Sequence, residues 1–393
     1  MNWNEIQGLV PAPGRPPDFE ACLEAFPQLC MAMHTEQSAP HHREGTVWVH
    51  TKMCVEALLA LAEYQRLPRA DQEIAFLAML LHDIAKCSTT VVDPETGRIG
   101  HPGHSRKGAI DARLALWDAG APFEQREAIC RIVAAHQYPM WALVGSRTGK
   151  SPEYLVRWLS WQMNLRLLAL VAEADMRGRI CDDAQTALDN IELFRDLAQE
   201  EGCFDTPRRF VDDHTRVSYF RGADLHPDYP LFQEEGSQVT VMCGPPASGK
   251  STWARQRGWP VVSFDDAREE LGLKHGRNDG MAAHRALDKA RDLLRVKEPF
   301  VWDATHLSLS MRERTLSLLF AYGAEVEVVH LETPRDALLR RNAKRDTTLT
   351  NAKLQQMLMK WEVPLPTEAH RVIYEAETRP KDRPEHQASS PRG

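Results

Sequence analysis

Two groups of residues in this chain have types and spacings suited to phosphate chemistry. The first is "GPPASGKS", Gly244 to Ser251, which fits the pattern G-x-x-x-x-G-K-[ST]. Val239 to Met242 before it reads as a short buried strand, and Thr252 onward opens a helix. In that setting successive backbone N–H groups and a helix N-terminus surround polyphosphate oxygens. The expected cradle runs through Gly244, Pro245, Pro246, Ala247, Ser248, Gly249, Lys250, Ser251 and Thr252. Lys250 would reach the outer phosphates and Ser251 would sit on Mg²⁺. The implied ligand is ATP, or another nucleoside triphosphate, with Mg²⁺.

The second group is drawn from the 16 histidines. His82-Asp83 lies on a stretch whose buried helical stripe is Ile74, Leu77, Leu81 and Ile84, and His50 shares a stripe with Cys54, Ala57 and Leu61. His136 follows Ile129, Ile132 and Val133, and Asp175 follows Leu165, Leu168 and Ala172. An aspartate on an apolar helix face is costly unless something pairs with it. A lone histidine there is ordinarily a satisfied core residue. Several with the same oddity, on separate helices, point instead to one buried metal cluster. Imidazole and carboxylate ligands suit Mn²⁺, Fe, Co²⁺, Ni²⁺ or Zn²⁺.

A phosphate loop does not name its acceptor; other residues must. "VVSFDDAREEL" reads as the next strand and its exit, where carboxylates face the ligand crevice of a parallel sheet. Asp265 there could take a proton from an acceptor hydroxyl, and Arg268 could hold an acceptor phosphate. "FVWDATHL" brings Asp303 and Thr305 to the same edge, and Arg341 and Arg345 lie at i, i+4 on a helix. Arginines over a transferring phosphate would balance its charge.

The elements that must position these residues fall into two grammars. Trp48–Gln65, Gln72–Lys86, Ala109–Asp118, Glu124–His136, Pro152–Met176 and Ala184–Glu200 show apolar spacings near 3.6 and predict an all-α domain over 1–201. From 237 to 377, "VTVM", "VVSF", "FVW" and "VEVVHL" alternate with helices and predict an α/β domain with a parallel sheet. Residues 202–236 are expected to connect the two, and 378–393 to form a disordered tail. The net charge of −7 gives no global sign of nucleic-acid binding, so any such substrate needs a local patch. Eight scattered cysteines with no C-x-x-C pair argue against a disulfide framework or a zinc ribbon. No stretch reads as a membrane span or a signal peptide, which predicts a cytoplasmic protein without a membrane partner.

The order His50, His82-Asp83, His104, His136, Asp175 resembles the HD-domain phosphohydrolases. That resemblance implies His50, His82, Asp83 and Asp175 as ligands of a first metal. It implies His104 and His136 as the extra histidines that hold a second metal or the phosphate. His101 rivals His104 by spacing alone, and Lys86 could steady a phosphate. The second half is similar to the polynucleotide 5′-kinase family, through the phosphate loop, D-D-x-R at Asp265–Arg268 and R-N-x-x-R at Arg341–Arg345. This implies Asp265 as general base and Arg268 on the acceptor's 3′ phosphate. Lys250, Arg341 and Arg345 would lie on the donor phosphates, and Asp303 and Thr305 beside the acceptor strand.

Together the halves resemble a bacterial family of fused HD phosphohydrolase and polynucleotide kinase that heals RNA ends. The implied substrates are RNA or single-stranded polynucleotide ends, with a nucleic-acid ligase as functional partner. Two alternatives stay open. One is an HD hydrolase of free nucleotides fused to a small-metabolite kinase; the other is a nucleotide-sensing phosphate-loop domain that regulates an HD hydrolase.

Overall fold

The computed structural model describes residues 1–143, 149–273, 278–344 and 349–377. The chain divides into two compact units, Met1–Arg209 and Phe210–Gly393. Of the expected connection over 202–236, residues up to Arg209 belong to the first unit and the rest to the second. The reason for the difference is local packing. Asp213–Phe220 forms a helix whose Arg216 donates from Nη1 to Pro366 O (2.6 Å) and from Nη2 to His370 O (2.6 Å).

The first unit is helical. Five of its helices carry the residues of interest: α1 (Val47–Ala60), α2 (Arg69–Leu81), α3 (His104–Ala119), α4 (Phe123–Ala135) and α5 (Leu165–Arg177). Their apolar stripes meet in one buried cluster that includes Cys54, Leu58, Leu77, Leu81, Leu116, Ile129, Val133 and Leu168. A buried ion pair fixes α3 on α4, with Arg113 Nη2 donating to Glu127 Oε2 at 2.8 Å. Arg126 Nε also donates to that carboxylate, at 2.9 Å.

Two sequence expectations need correction. The stretch Pro152–Met176 is not one helix: Pro152–Ser160 ends first, and Asn164 then caps α5 by accepting from the N–H of Arg166 and Leu167. Asparagine competes for backbone donors in this way and starts a new helix in preference to continuing an old one. The helix expected over Gln72–Lys86 stops at Leu81. Beyond it the bonds Ile84 N→Leu81 O and Lys86 N→Asp83 O are tighter i→i−3 turns. His82 and Asp83 therefore sit at a helix end and not within a helix.

The second unit is built on five parallel strands: β1 (Gln238–Cys243), β2 (Val261–Ser263), β3 (Phe300–Asp303), β4 (Glu325–Glu332) and β5 (Arg371–Ala376). Their spatial order is β2-β3-β1-β4-β5. β1 is central and buried on both faces: Val239, Val241 and Cys243 join one apolar cluster, while Met242 joins another with Val301 and Val329. Such double burial explains its continuous apolar run. Because every strand runs the same way, all the carboxyl ends share one edge, and the phosphate loop leaves from that edge.

One contact in the first unit sets how closely α1 and α5 can approach. A Cβ built on Gly178, which caps α5, would lie 2.5 Å from Cys54 N and 2.6 Å from Cys54 Cα. These are backbone atoms of α1 and cannot swing aside. We expect Gly178→Ala to lower stability by about 1–3 kcal/mol or more, as overpacking does. Gly100→Ala, with nothing within 4 Å, should be near neutral. Denaturant unfolding of the two variants makes the comparison, and equal midpoints would refute the close-approach account.

Candidate metal centre and phosphate loop

Helix ends orient most of the imidazoles. The last carbonyls of a helix lack intrahelical partners, and two histidines use them. His82 Nδ1 donates to Met79 O at 2.7 Å, and His136 Nδ1 to Val133 O at 2.8 Å. His104, the first residue of α3, donates likewise to His101 O at 2.8 Å. His50, on α1, donates from Nδ1 to Glu44 Oε1 at 3.0 Å. A neutral imidazole that gives its Nδ1 proton away presents a bare lone pair at Nε2.

Those Nε2 atoms converge on carboxylates. His50 Nε2 lies 3.1 Å from Asp175 Oδ1, 3.7 Å from Asp83 Oδ2 and 3.4 Å from His82 Nε2. His82 Nε2 is 3.1 Å from Asp83 Oδ2, and His104 Nε2 is 3.4 Å from Asp83 Oδ1. Among the described residues, donor sets of the kind that hold a metal are His50, Cys54, His82 and Asp175 on one side, Asp83, His104 and His136 on the other, and His42, Glu44 and His50 beside the first. His136 Nε2 and Asp175 Oδ2 are buried with no hydrogen-bond partner among the described residues, and beside Asp83 only the Lys86 ammonium is a fixed cation. Buried acceptors facing acceptors repel unless a cation lies between them. The residues present therefore fit a divalent metal, and their N and O character matches the transition ions named above.

The electrostatics agree with that role. Burial raises Asp83, but its neighbours His82 and Lys86 overcome it and hold the carboxyl well below its ordinary range. Burial likewise opposes ionisation of Asp175, and Arg179 with His50 outweighs it. Burial lowers His136 to about 3 and lowers His104 as well, so both are neutral and able to ligate. Burial would lower His50 too, yet Cys54, Asp175 and Glu44 raise it well above the usual histidine value. A proton thus occupies, in part, the position a metal would take.

Lys86 is buried, not solvated. Its Nζ lies 2.6 Å from Asp83 Oδ2 and donates to Gln37 Oε1 at 2.7 Å. His101 points elsewhere, to Lys86 O (3.3 Å) and Thr90 Oγ1 (3.1 Å). Residues that the sequence did not single out also reach the cluster. Arg179 Nη2 donates to Asp175 Oδ1 at 2.8 Å, and the Cys54 thiol lies 3.5 Å from the His50 ring nitrogens and donates to Asp175 O at 3.6 Å. Arg179 sits i+4 from Asp175 and Cys54 i+4 from His50, and that spacing was the available signal.

In the second unit the loop after β1 needs unusual backbone. Gly244 has φ +137°, Ala247 +66° and Gly249 +103°. A Cβ on Gly244 would stand 2.2 Å from Leu331 O, so no other residue fits there. Helix α6 (Lys250–Gln256) follows directly. Lys250 Nζ donates to Gly244 O (2.9 Å) and Pro245 O (2.7 Å), folded back over the loop that phosphates would fill. Gly244 N–H donates to Thr305 O at 2.9 Å, which ties the loop after β3 to the phosphate loop. Buried His306 has φ +45° and braces that loop through Met242 O (2.8 Å) and Thr315 Oγ1 (2.9 Å). Burial lowers it to about 4, so it braces as a neutral ring.

The acceptor-side residues stand at the same edge. Ser263 caps helix α7 (Phe264–Glu270) by accepting from Asp265 N and Asp266 N. Arg268 pairs with Asp265 Oδ1 (2.5 Å) and with Asp279 Oδ1 (3.0 Å), while the Asp265 side chain is largely exposed. Asp266 is raised by burial against the pull of Arg255, with Asp303 adding to the rise. Arg341, on α8 (Arg335–Lys344), donates to Thr333 Oγ1 at 3.0 Å and to both oxygens of Glu377 at 3.0 and 2.9 Å. Arg345 lies outside the described residues.

Comparison with known proteins divides the chain in the same way. A family model for the HD domain matches residues 47–176, and one for the AAA domain matches residues 239–364. The CC-adding tRNA nucleotidyltransferase of Thermus thermophilus is 36% identical over 111 residues, which is 28% of this chain and 24% of that protein. The Multifunctional CCA protein of Halorhodospira halophila is 30% identical over 147 residues, 36% of this chain and 32% of that protein. The chain therefore spans a third or less of the length of these curated relatives. A sugar kinase structure from Janibacter sp. HTCC2649 aligns at 21% identity and a TM-score of 0.26, covering 35% of this chain and 85% of that one. No helix among the described residues is long and apolar enough to cross a membrane. The two family matches, the buried His/Asp cluster and the loop after β1 agree that this chain joins a helical HD domain to a phosphate-loop AAA domain with a five-stranded parallel sheet.

Proposed function

We propose that the chain heals RNA ends. The phosphate-loop domain phosphorylates a 5′-hydroxyl with ATP, and the HD domain removes 2′,3′-cyclic, 3′ or 2′ phosphates. The observation that carries the reading is the pairing of Asp265 with Arg268 at the same sheet edge as Lys250. A nucleotide sensor needs neither a base nor an acceptor-side arginine. The matched relatives of the HD half are, by their names, tRNA nucleotidyltransferase and CCA proteins, which favours a polynucleotide over a free metabolite.

In the kinase, ATP phosphates would fill the loop and draw Lys250 off Gly244 O and Pro245 O. Ser251 would contribute its hydroxyl to Mg²⁺, and Arg341 its guanidinium to the donor phosphates. Asp265 would accept the 5′-hydroxyl proton as that oxygen bonds to the γ-phosphorus and the bond to the ADP oxygen breaks. Arg268, released from Asp279, would hold the acceptor's 3′ phosphate. In the HD site a metal on His50, His82, Asp83 and Asp175 would supply activated water and neutralise phosphate charge. His104 and His136 would complete a second metal or hold the phosphate itself, with Lys86 beside them.

Two sets of outcomes test this. RNA with a 2′,3′-cyclic phosphate and a 5′-hydroxyl should lose the first in Mn²⁺, Co²⁺ or Ni²⁺ and gain a 5′-phosphate with ATP and Mg²⁺. Asp83→Ala should remove only the first activity and Lys250→Ala only the second. Loss of both in either folded variant, or phosphorylation of nucleosides but not oligonucleotides, overturns the proposal.

The second set separates the acceptor-side residues. Asp265→Asn should lower kcat by on the order of 10²-fold with ATP affinity nearly unchanged. Arg268→Ala should raise the KM for an oligonucleotide acceptor and have little effect on one lacking the adjacent 3′ phosphate. Near-normal kcat in Asp265→Asn would move the base to Asp266, beside Asp303. An equal effect of Arg268→Ala on both acceptors would remove the phosphate-reading role.

A further inference from the structure

His50 differs from the other imidazoles of the cluster. His82, His104 and His136 give their Nδ1 protons to neutral backbone carbonyls, whereas His50 gives its own to a carboxylate, Glu44 Oε1, at 3.0 Å. The Glu44 side chain has no exposed surface, and an ionised carboxylate so placed is costly unless donors surround it. Three do so. His42 Nδ1 donates to Oε1 at 2.7 Å, His50 Nδ1 to the same oxygen, and Ile180 N–H to Oε2 at 2.9 Å. With all three aimed at it, this carboxylate is the acceptor shared by His42, His50 and the chain just after α5.

We infer that Glu44 is the positioning residue of the metal centre: it fixes the His50 tautomer and joins the two helices that bring His50 and Asp175 together. This rests on reading the cluster as a divalent-metal site. Glu44 lies in the segment before α1, and Ile180 lies just after α5, so one carboxylate spans the helix pair that also meets at Cys54 and Gly178. Both Glu44 oxygens accept, Oε1 from the two imidazoles and Oε2 from the Ile180 N–H. Nδ1–H of His50 is therefore held toward Glu44, and Nε2, which faces Asp175 and His82, is the atom a metal would take. A carboxylate acceptor also makes the ring more electron-rich than a carbonyl would, which strengthens its bond to a cation. His42 shares Oε1 through Nδ1 and so helps to hold Glu44 in place.

Glutamine at this position keeps the size but brings an amide that can donate to Nδ1. That stabilises the other tautomer, with a proton on Nε2 where the metal must bind. The test is Co²⁺ binding to chelator-stripped protein, followed by visible absorption and by competition with a chelator. Melting of the metal-free protein is measured in parallel. Wild type should bind Co²⁺, His82→Ala should lose it, and Glu44→Gln should weaken it by about 10–100-fold. NMR of the Co²⁺-loaded protein should show a shifted, exchangeable His50 Nδ1–H signal that moves or vanishes in Glu44→Gln. Glu44→Asp, which keeps the charge at a shorter reach, should recover part of the affinity, and it serves as the comparison if the glutamine variant does not fold.

Binding within twofold of wild type in Glu44→Gln, with the Nδ1–H signal unmoved, overturns the inference and leaves the metal centre standing. So does a loss of affinity matched in full by a loss of melting temperature in the metal-free protein. If wild type itself takes up no Co²⁺, Mn²⁺ or Zn²⁺, the metal reading fails first and the role of Glu44 falls with it.

Discussion

His50, His82, His104 and His136 all turn Nδ1 outward, which leaves their Nε2 atoms to face Asp83 and Asp175 at the centre of the helical unit. Imidazole nitrogens and carboxylate oxygens meet there at 3.1 to 3.7 Å, buried in the core. Such an arrangement is unfavourable by itself and becomes favourable only around a cation. Much of the unit can be understood as the structure needed to hold it. Lys86 and Arg179 offset part of the charge on Asp83 and Asp175. The ion pair between Arg113 and Glu127 locks α3 to α4, and hence His104 near His136. Gly178 lets α5 approach α1 until Asp175 meets His50.

The phosphate-loop domain solves a different problem by a different route. Its ligand is an anion, and the groups that receive it are mostly backbone N–H donors at the end of a central strand. What has to be specified is therefore backbone shape, supplied by three residues with positive φ, one of them a glycine with no room for a side chain. Side chains act afterwards, from the ends of neighbouring strands. Parallel pairing carries Ser263, Asp303 and Glu332 to the same edge as Cys243, so residues far apart in sequence share one crevice.

The sequence revealed the fold most clearly where a pattern was long and strong. Apolar stripes near 3.6 located the ligand-bearing helices, and the buried runs located four of the five strands. The fifth, "RVIYEA", is an edge strand whose residues are half-buried or exposed, so it lacks the continuous apolar run that marks the central strands. The break before Asn164 was hidden because apolar residues on both sides kept the helical period. Glu44 could not be found from sequence, since its burial depends on His50 and on Ile180, 136 positions away. The brace formed by His306 was hidden in the same way, because it depends on Met242 and Thr315. Motif residues announce themselves by type and spacing; the groups that orient them do so only once the chain has folded.

The ligands of the first unit are spread from His50 to Asp175, on helices that meet only in the finished core. That spread has a consequence for how the protein comes into being. A chain emerging from the ribosome carries Asp83, His104 and His136 early, but the set that includes Asp175 is incomplete until α5 has been synthesised and docked against α1. A metal that needs Asp175 would therefore be captured tightly only by the completed domain, and by mass action each ion captured would draw the chain away from its partly folded forms. The centre acts in this respect as a late checkpoint on assembly: the domain becomes fully secure when its most distant parts have found each other.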